Sequence, residues 1–240
     1  MNINSLSFKD LNRKKFPGSL DPSEIYSFIC LLKKNNIDLV IESGRQYGYS
    51  TYFIGKYCNI NNIKFYSIDV CFNKNINLKS IKTLSRIKVK YIDGNFFFVI
   101  KKILDRFRYK KIALLVDGPK GTRAFCFCYS HLINYNNLKL VFFDNFLDQS
   151  NNLFKNFLFK KKNYFGDLKY SLKIRKELIF INSKHRIKAV INDNDFAFFL
   201  KNDLNLSYFS LFFCNLNIFY YLIKEKISKV KKKFKFLTNY

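Results

Sequence analysis

Five short apolar runs recur along the chain at nearly constant intervals, and few folds produce that rhythm. They read Ile37-Asp38-Leu39-Val40-Ile41, Ile63-Lys64-Phe65-Tyr66-Ser67-Ile68, Val89-Lys90-Tyr91-Ile92, Ile112-Ala113-Leu114-Leu115-Val116 and Leu138-Lys139-Leu140-Val141-Phe142-Phe143, starting 23 to 26 residues apart. Each interval leaves room for a turn and one helix, which is what a crossover between parallel strands requires. Strands that are apolar almost throughout must be covered on both faces, so the rhythm points to a parallel sheet between two layers of helices.

The expected fold class is therefore α/β: a Rossmann-like, doubly wound, mostly parallel sheet with helices on both faces. Ahead of it, Asp21-Pro22-Ser23-Glu24 opens a helix after the Pro17-Gly18 turn. Asp suits the cap, Pro the first turn, and Glu the positive end of the helix dipole. Ile25, Phe28, Ile29, Leu31 and Leu32 supply its apolar stripe. No linker divides the chain, so the parts are an N-terminal helical segment at 1–36, a Rossmann-like domain at 37–205, and an apolar segment with a basic tail at 206–240. Residues 150–176 read as a long polar, basic and aromatic connection, and 178–181 and 187–200 as further strand or short helix closing the sheet. The stretch 206–223 is strongly apolar, but Asn215, Asn217 and its aromatic alternation favour a core strand or helix over a membrane span.

The net charge of +26 raises nucleic acid or an anionic membrane as partners. The lysines are spread over the whole chain, and Phe, Tyr, Asn and Ile are abundant with no Trp, so AT-rich codons are a sufficient cause. The charge alone decides nothing. The tail is more specific: seven lysines against the single acid Glu225 lie between 224 and 235, interleaved with Ile, Val and Phe, a pattern that can lie on anionic lipid. Among six cysteines there is no CxxC pair, Cys126 and Cys128 are spaced too closely for a zinc knuckle, and only His131 and His185 could assist. Buried thiols in a reducing cytoplasm are expected. The polar N-terminus lacks the apolar core of a secretory signal, so a cytoplasmic location is expected, with the inner membrane face as the place where the tail would touch lipid.

The chemistry gathers where each run ends, the edge at which open α/β sheets hold ligands. After the first run come Glu42-Ser43-Gly44-Arg45-Gln46-Tyr47-Gly48-Tyr49-Ser50-Thr51. Gly44 and Gly48 allow a tight turn and close approach to a ligand, and Ser50 and Thr51 open a helix whose N-terminus favours a carboxylate or other anion. The spacing differs from G-x-G-x-x-G, which disfavours a dehydrogenase. Asp69 ends the second run, where an acid can accept hydrogen bonds from ribose hydroxyls. Asp93-Gly94-Asn95 ends the third, Asp117-Gly118-Pro119-Lys120-Gly121 the fourth and Asp144-Asn145 the fifth. Asp117, Asp144 and Asn145 form an all-oxygen set suited to a hard cation such as Mg²⁺, and Lys120 lies within reach to act as a base.

The string Glu42-x-Gly44-x-x-x-Gly48-Tyr49-Ser50 resembles motif I of class I S-adenosylmethionine-dependent methyltransferases. With Asp117-x-x-Lys120 and Asp144-Asn145, it is especially similar to the catechol and caffeoyl-CoA O-methyltransferase group; Asp-Gly-Pro-Lys-Gly is also similar to methyltransferases associated with surface polysaccharides. The resemblance spans about residues 37–146 and implies that Glu42, Gly44, Gly48 and Ser50 surround the methionine part of the cofactor. Asp69 would take the ribose and Asp93 the adenine, with Ser43, Gln46, Gly94 and Asp117 completing the contacts. It further implies Mg²⁺ on Asp117, Asp144 and Asn145, with Lys120 and Asp117 catalytic, and a hydroxylated small molecule or glycan as acceptor. Two alternatives remain: a nucleic-acid methyltransferase, disfavoured by the lack of an Asp/Asn-Pro-Pro-Tyr string, and a catalytically inactive Rossmann-like binding module.

Overall fold

All five apolar runs become strands: β1 (Leu39–Ser43), β2 (Lys64–Asp69), β3 (Lys90–Asp93), β4 (Ile112–Val116) and β5 (Leu138–Asp144). The structure, a computed structural model, describes residues 20, 22–70, 74–119, 122–132, 134–144 and 196–200, with positions 212, 214–216, 218–220, 223 and 227. Four strands run on past their apolar residues to Ser43, Asp69, Asp93 and Asp144, so strand pairing itself carries these polar groups to the edge of the sheet. Between the strands lie α2 (Tyr49–Ile60), α3 (Lys74–Thr83), α4 (Phe96–Arg106) and α5 (Thr122–Phe127), the last running into a π-helical turn at Cys128–Leu132. Ahead of them α1 (Pro22–Lys34) starts at the expected proline, with Glu24 in its first turn and Lys33 and Lys34 in its last, both matched to the helix dipole.

The sheet order is β3-β2-β1-β4-β5-β6, where β6 is Phe196–Leu200. The first five strands are parallel and β6 runs antiparallel to β5 along the edge. The expected closing strand at 187–200 is thus realised at 196–200; its remainder, 178–181 and the 150–176 connection lie outside the described residues.

Both faces of the sheet are covered, as the apolar runs require. On one face Val40, Ala113, Leu115, Leu140 and Phe142 pack against α1 and α2, with Phe28 meeting Phe142 edge to face at 5.4 Å. On the other, Leu39, Ile41, Leu114, Val116, Val141 and Phe143 pack against Phe96, Ile100 and Leu104 of α4 and Phe125 of α5. Every residue of β1 and β4 is buried, because these two strands are neighbours at the middle of the sheet. Cys58, Cys126, Cys128 and Cys214 are buried free thiols, and Cys30 is half-buried. Burial pushes the Cys58 and Cys128 thiols up in pKa, and they behave as small apolar groups.

The expectation that 206–223 belongs to the core needs correction at the described positions. They are helical, but only Cys214 is buried and Ile218 half-buried against the second core, while Phe212, Leu216, Phe219, Tyr220 and Ile223 are exposed. That face of the sheet is already covered by α4 and α5, so only a narrow strip of the helix finds apolar surface to pack on. Among the described residues no helix is long and apolar enough to cross a membrane.

Candidate functional site

The winding of the sheet reverses between β1 and β4. From β1 the chain crosses to β2 and then β3 on one side, and β4 and β5 fall on the other. Loops leaving the carboxyl ends of β1 and β4 therefore diverge and leave a crevice, the usual ligand position in such sheets.

The crevice floor is a crossing of two glycines. Gly44 sits at φ +98°, and a Cβ placed on it would lie 2.5 Å from the Gly118 nitrogen. Only glycine allows the β1 and β4 ends to approach so closely. The Asp117 and Gly118 N–H groups both donate to the Ser43 carbonyl at 2.8 Å, and the Ser43 hydroxyl donates to the Gly118 carbonyl. The β2 end joins them: Gly44 N–H donates to the Ile68 carbonyl at 3.0 Å, and Gln46 N–H, at φ +44°, donates to Asp69 Oδ2 at 2.8 Å. Gly94 N–H then donates to the Asp69 carbonyl at 2.9 Å, drawing in the end of β3. Four strand ends are thus bonded into one rim, and Ser43, Gly44, Gln46, Asp69, Gly94 and Asp117 all lie on it.

Gly48 caps α2 in the left-handed conformation, φ +82°, and no side chain caps the helix. The first-turn N–H groups are oriented by the helix alone, which suits a carboxylate ligand. The Ser50 hydroxyl does not face outward; it donates to Glu42 Oε1 at 2.6 Å. Asn95 caps α4 by accepting from Phe97 N–H at 3.0 Å, which leaves Asp93 beside it exposed at the rim.

Glu42 occupies a different place from the cofactor contact expected of it. It is wholly buried, and its second oxygen accepts from Thr51 Oγ1 at 2.5 Å and Ser67 Oγ at 2.9 Å. Its carboxyl therefore ties β1, β2 and the start of α2 together beneath the crevice. Burial raises its pKa, and the three hydroxyls and Arg45 pull it partly back.

Arg45 went unremarked in the sequence, and it is the buried cation of this loop. Its Nε donates to Ser80 Oγ and its Nη1 to the Ser67 carbonyl, each at 3.3 Å, and its Nη2 lies 3.8 Å from Asp93. The guanidinium stacks over Tyr91 at 5.0 Å. The one available signal was an arginine three residues after a strand-end glutamate, and its meaning depends on partners from β2, α3 and β3.

Asp117 and Asp144 end the neighbouring strands β4 and β5, one residue beyond the paired Val116 and Phe143, and both are buried. Two buried carboxylates on neighbouring strand ends are oxygen donors of the kind Mg²⁺ takes, one or two to an ion with water completing its shell. Among the described residues no cluster of three or more His, Cys, Asp or Glu could hold a metal. Lys120 and Asn145, the expected base and third metal ligand, lie outside the described residues.

No protein-family model matches the chain, and no curated protein does. Solved structures similar to it include a putative caffeoyl-CoA O-methyltransferase from Staphylococcus aureus, at 17% identity over 82% of this chain and 90% of that one, TM-score 0.44. A Podospora anserina methyltransferase bound to S-adenosylhomocysteine matches at 11% identity, 82% and 87% coverage, TM-score 0.45. An O-methyltransferase from Bacillus cereus, also in complex with S-adenosylhomocysteine, matches at 10%, 82% and 86%, TM-score 0.42. Likenesses this distant say nothing of individual residues or of substrate.

Proposed function

We propose that the chain is an S-adenosylmethionine-dependent methyltransferase acting on a hydroxyl of a small molecule or glycan. One observation carries this: the ends of β1, β2, β3 and β4 are hydrogen-bonded into a single rim around the Gly44–Gly118 crossing, where sugar, base and amino-acid carboxylate can be held at once. The glycine crossing holds the β1 and β4 ends backbone to backbone, and the α2 N-terminus carries no side-chain cap, so its first-turn N–H groups suit the carboxylate of this cofactor.

When bound, the cofactor supplies a methyl group on a sulfonium for in-line transfer, where alignment of the reactants contributes roughly 7–11 kcal/mol. In this reading Asp69 accepts from the ribose hydroxyls, the first-turn N–H groups of α2 receive the carboxylate, and Asp93 and Gly94 border the base. Gln46 fixes Asp69 through its N–H, and Glu42 and Arg45 hold the loop from below. Lys120, as the neutral amine that a cation beside it would favour, would take the proton of the acceptor hydroxyl. Asp117, Asp144 and Asn145 would hold Mg²⁺, which supplies Lewis acidity toward the acceptor oxygen.

The test is calorimetry with S-adenosylhomocysteine. Saturable binding is expected, weakened at least about tenfold, or about 1.4 kcal/mol, in Asp69→Ala. An absence of binding by the native chain would leave a Rossmann-like binding module as the better description. Transfer of labelled methyl in EDTA isolates the metal: full activity after chelation removes Mg²⁺ and leaves methyl transfer standing.

A further inference from the structure

We infer that the face formed by the helical positions 212, 216, 219, 220, 223 and 227 is a docking face for an anionic lipid surface, on which it lies flat. Positions 212, 214–216, 218–220, 223 and 227 are helical. Cys214 and Ile218 anchor the inner side, packed on the core built by α4, α5 and the sheet. The opposite side carries Phe212, Leu216, Phe219, Tyr220, Ile223 and Ile227, between 42% and 64% exposed. At 3.6 residues per turn these six fall in one stripe about 100° wide, facing away from Cys214 and Ile218. A continuous apolar stripe of this kind on a soluble surface marks an interaction site.

Charge selects the occupant. Directly after Ile223 the sequence places seven lysines against one acid, Glu225, between 224 and 235, on a chain of net charge +26. An apolar helix face next to a lysine-rich tract matches what an anionic bilayer offers: acyl chains for the stripe and headgroup phosphates for the lysines. A second copy of the chain would cover the stripe only by bringing two such tracts together. A nucleic acid would satisfy the lysines and leave Leu216, Ile223 and Ile227 in water. Because Cys214 and Ile218 pack on the core while the stripe faces outward, the contact is one of lying on the bilayer.

The experiment is co-sedimentation of the full chain with vesicles of phosphatidylcholine alone or mixed with phosphatidylglycerol. Binding to the mixed vesicles is expected to exceed binding to the neutral ones by at least about tenfold, and to weaken as salt rises to about 0.5 M. The double variant Phe219→Glu with Ile223→Glu should lose most of this binding, with its circular dichroism unchanged. Should that variant fail to fold, Lys231→Gln with Lys232→Gln and Lys233→Gln leaves the apolar face intact and should lower binding to the anionic vesicles alone. Equal binding to neutral and anionic vesicles, or undiminished binding by a folded variant, overturns the inference. So does a lipid-free dimer in analytical ultracentrifugation that the double variant dissolves, since the stripe would then be a contact between copies.

Discussion

Glu42 shows how differently a residue is placed by its sequence motif and by its neighbours. The motif marks it as special, and the structure gives it three hydroxyl donors and no solvent. Burial dominates, so its folded pKa lies above the ordinary 4.5. Between those two values the native state keeps a proton that the unfolded chain has given up. The associated stability is whole below pH 4.5 and is lost as pH rises through the raised folded value. Glu42→Gln cannot ionise, so urea unfolding at stepped pH above 4.5 should show a flatter dependence than the native chain; parallel slopes would refute the assignment. Glu42→Ala leaves three buried hydroxyls without their acceptor and opens a void, at a cost of about 2–4 kcal/mol by the same measurement. Thr51 and Ser67, like Arg45 beside them, could not be linked to Glu42 by spacing, because their meeting depends on β2, α2 and α3 being packed together.

At the scale of elements, the contact between the β1 and β4 ends depends on a glycine for geometric reasons. Gly44→Ala would add a Cβ 2.5 Å from backbone at a φ that L residues rarely adopt, and backbone cannot step aside as a flexible side chain can. The expected result is a stability loss of about 1–3 kcal/mol and S-adenosylhomocysteine affinity lowered at least about tenfold, checked by thermal melting and calorimetry. Unchanged affinity would separate the glycine crossing from the ligand. The strands themselves were legible to within a residue or two, since a buried parallel strand is apolar at almost every position. The segment at 206–223 was not: apolar content identifies a helix that wants cover, but it carries no information on which sheet face has already been filled.

For the molecule as a whole, a ligand held by four strand ends stabilises only the folded chain, since the rim does not exist when the chain is unfolded. At one hundred times its dissociation constant, S-adenosylhomocysteine should add about 2.7 kcal/mol. For a chain of 240 residues that raises the midpoint of thermal unfolding by about 5–11 °C. A melting curve unmoved at saturating ligand would contradict the shared rim. The charge of +26 acts at this scale too, as a field that favours any anionic surface; the proposal of lipid over other anionic partners rests on the apolar stripe.

By itself the sequence determined the α/β class, the strands and their order along the chain, and the polar groups waiting at each strand end. These are local properties, carried by period, run length and turn chemistry. Tertiary structure alone decided that Glu42 lies beneath the crevice, that Arg45 is its buried neighbour, that Gly44 crosses Gly118, and that the 212–227 face turns outward. Each of those outcomes depends on which residues from distant elements fill the same space, and no local pattern encodes that.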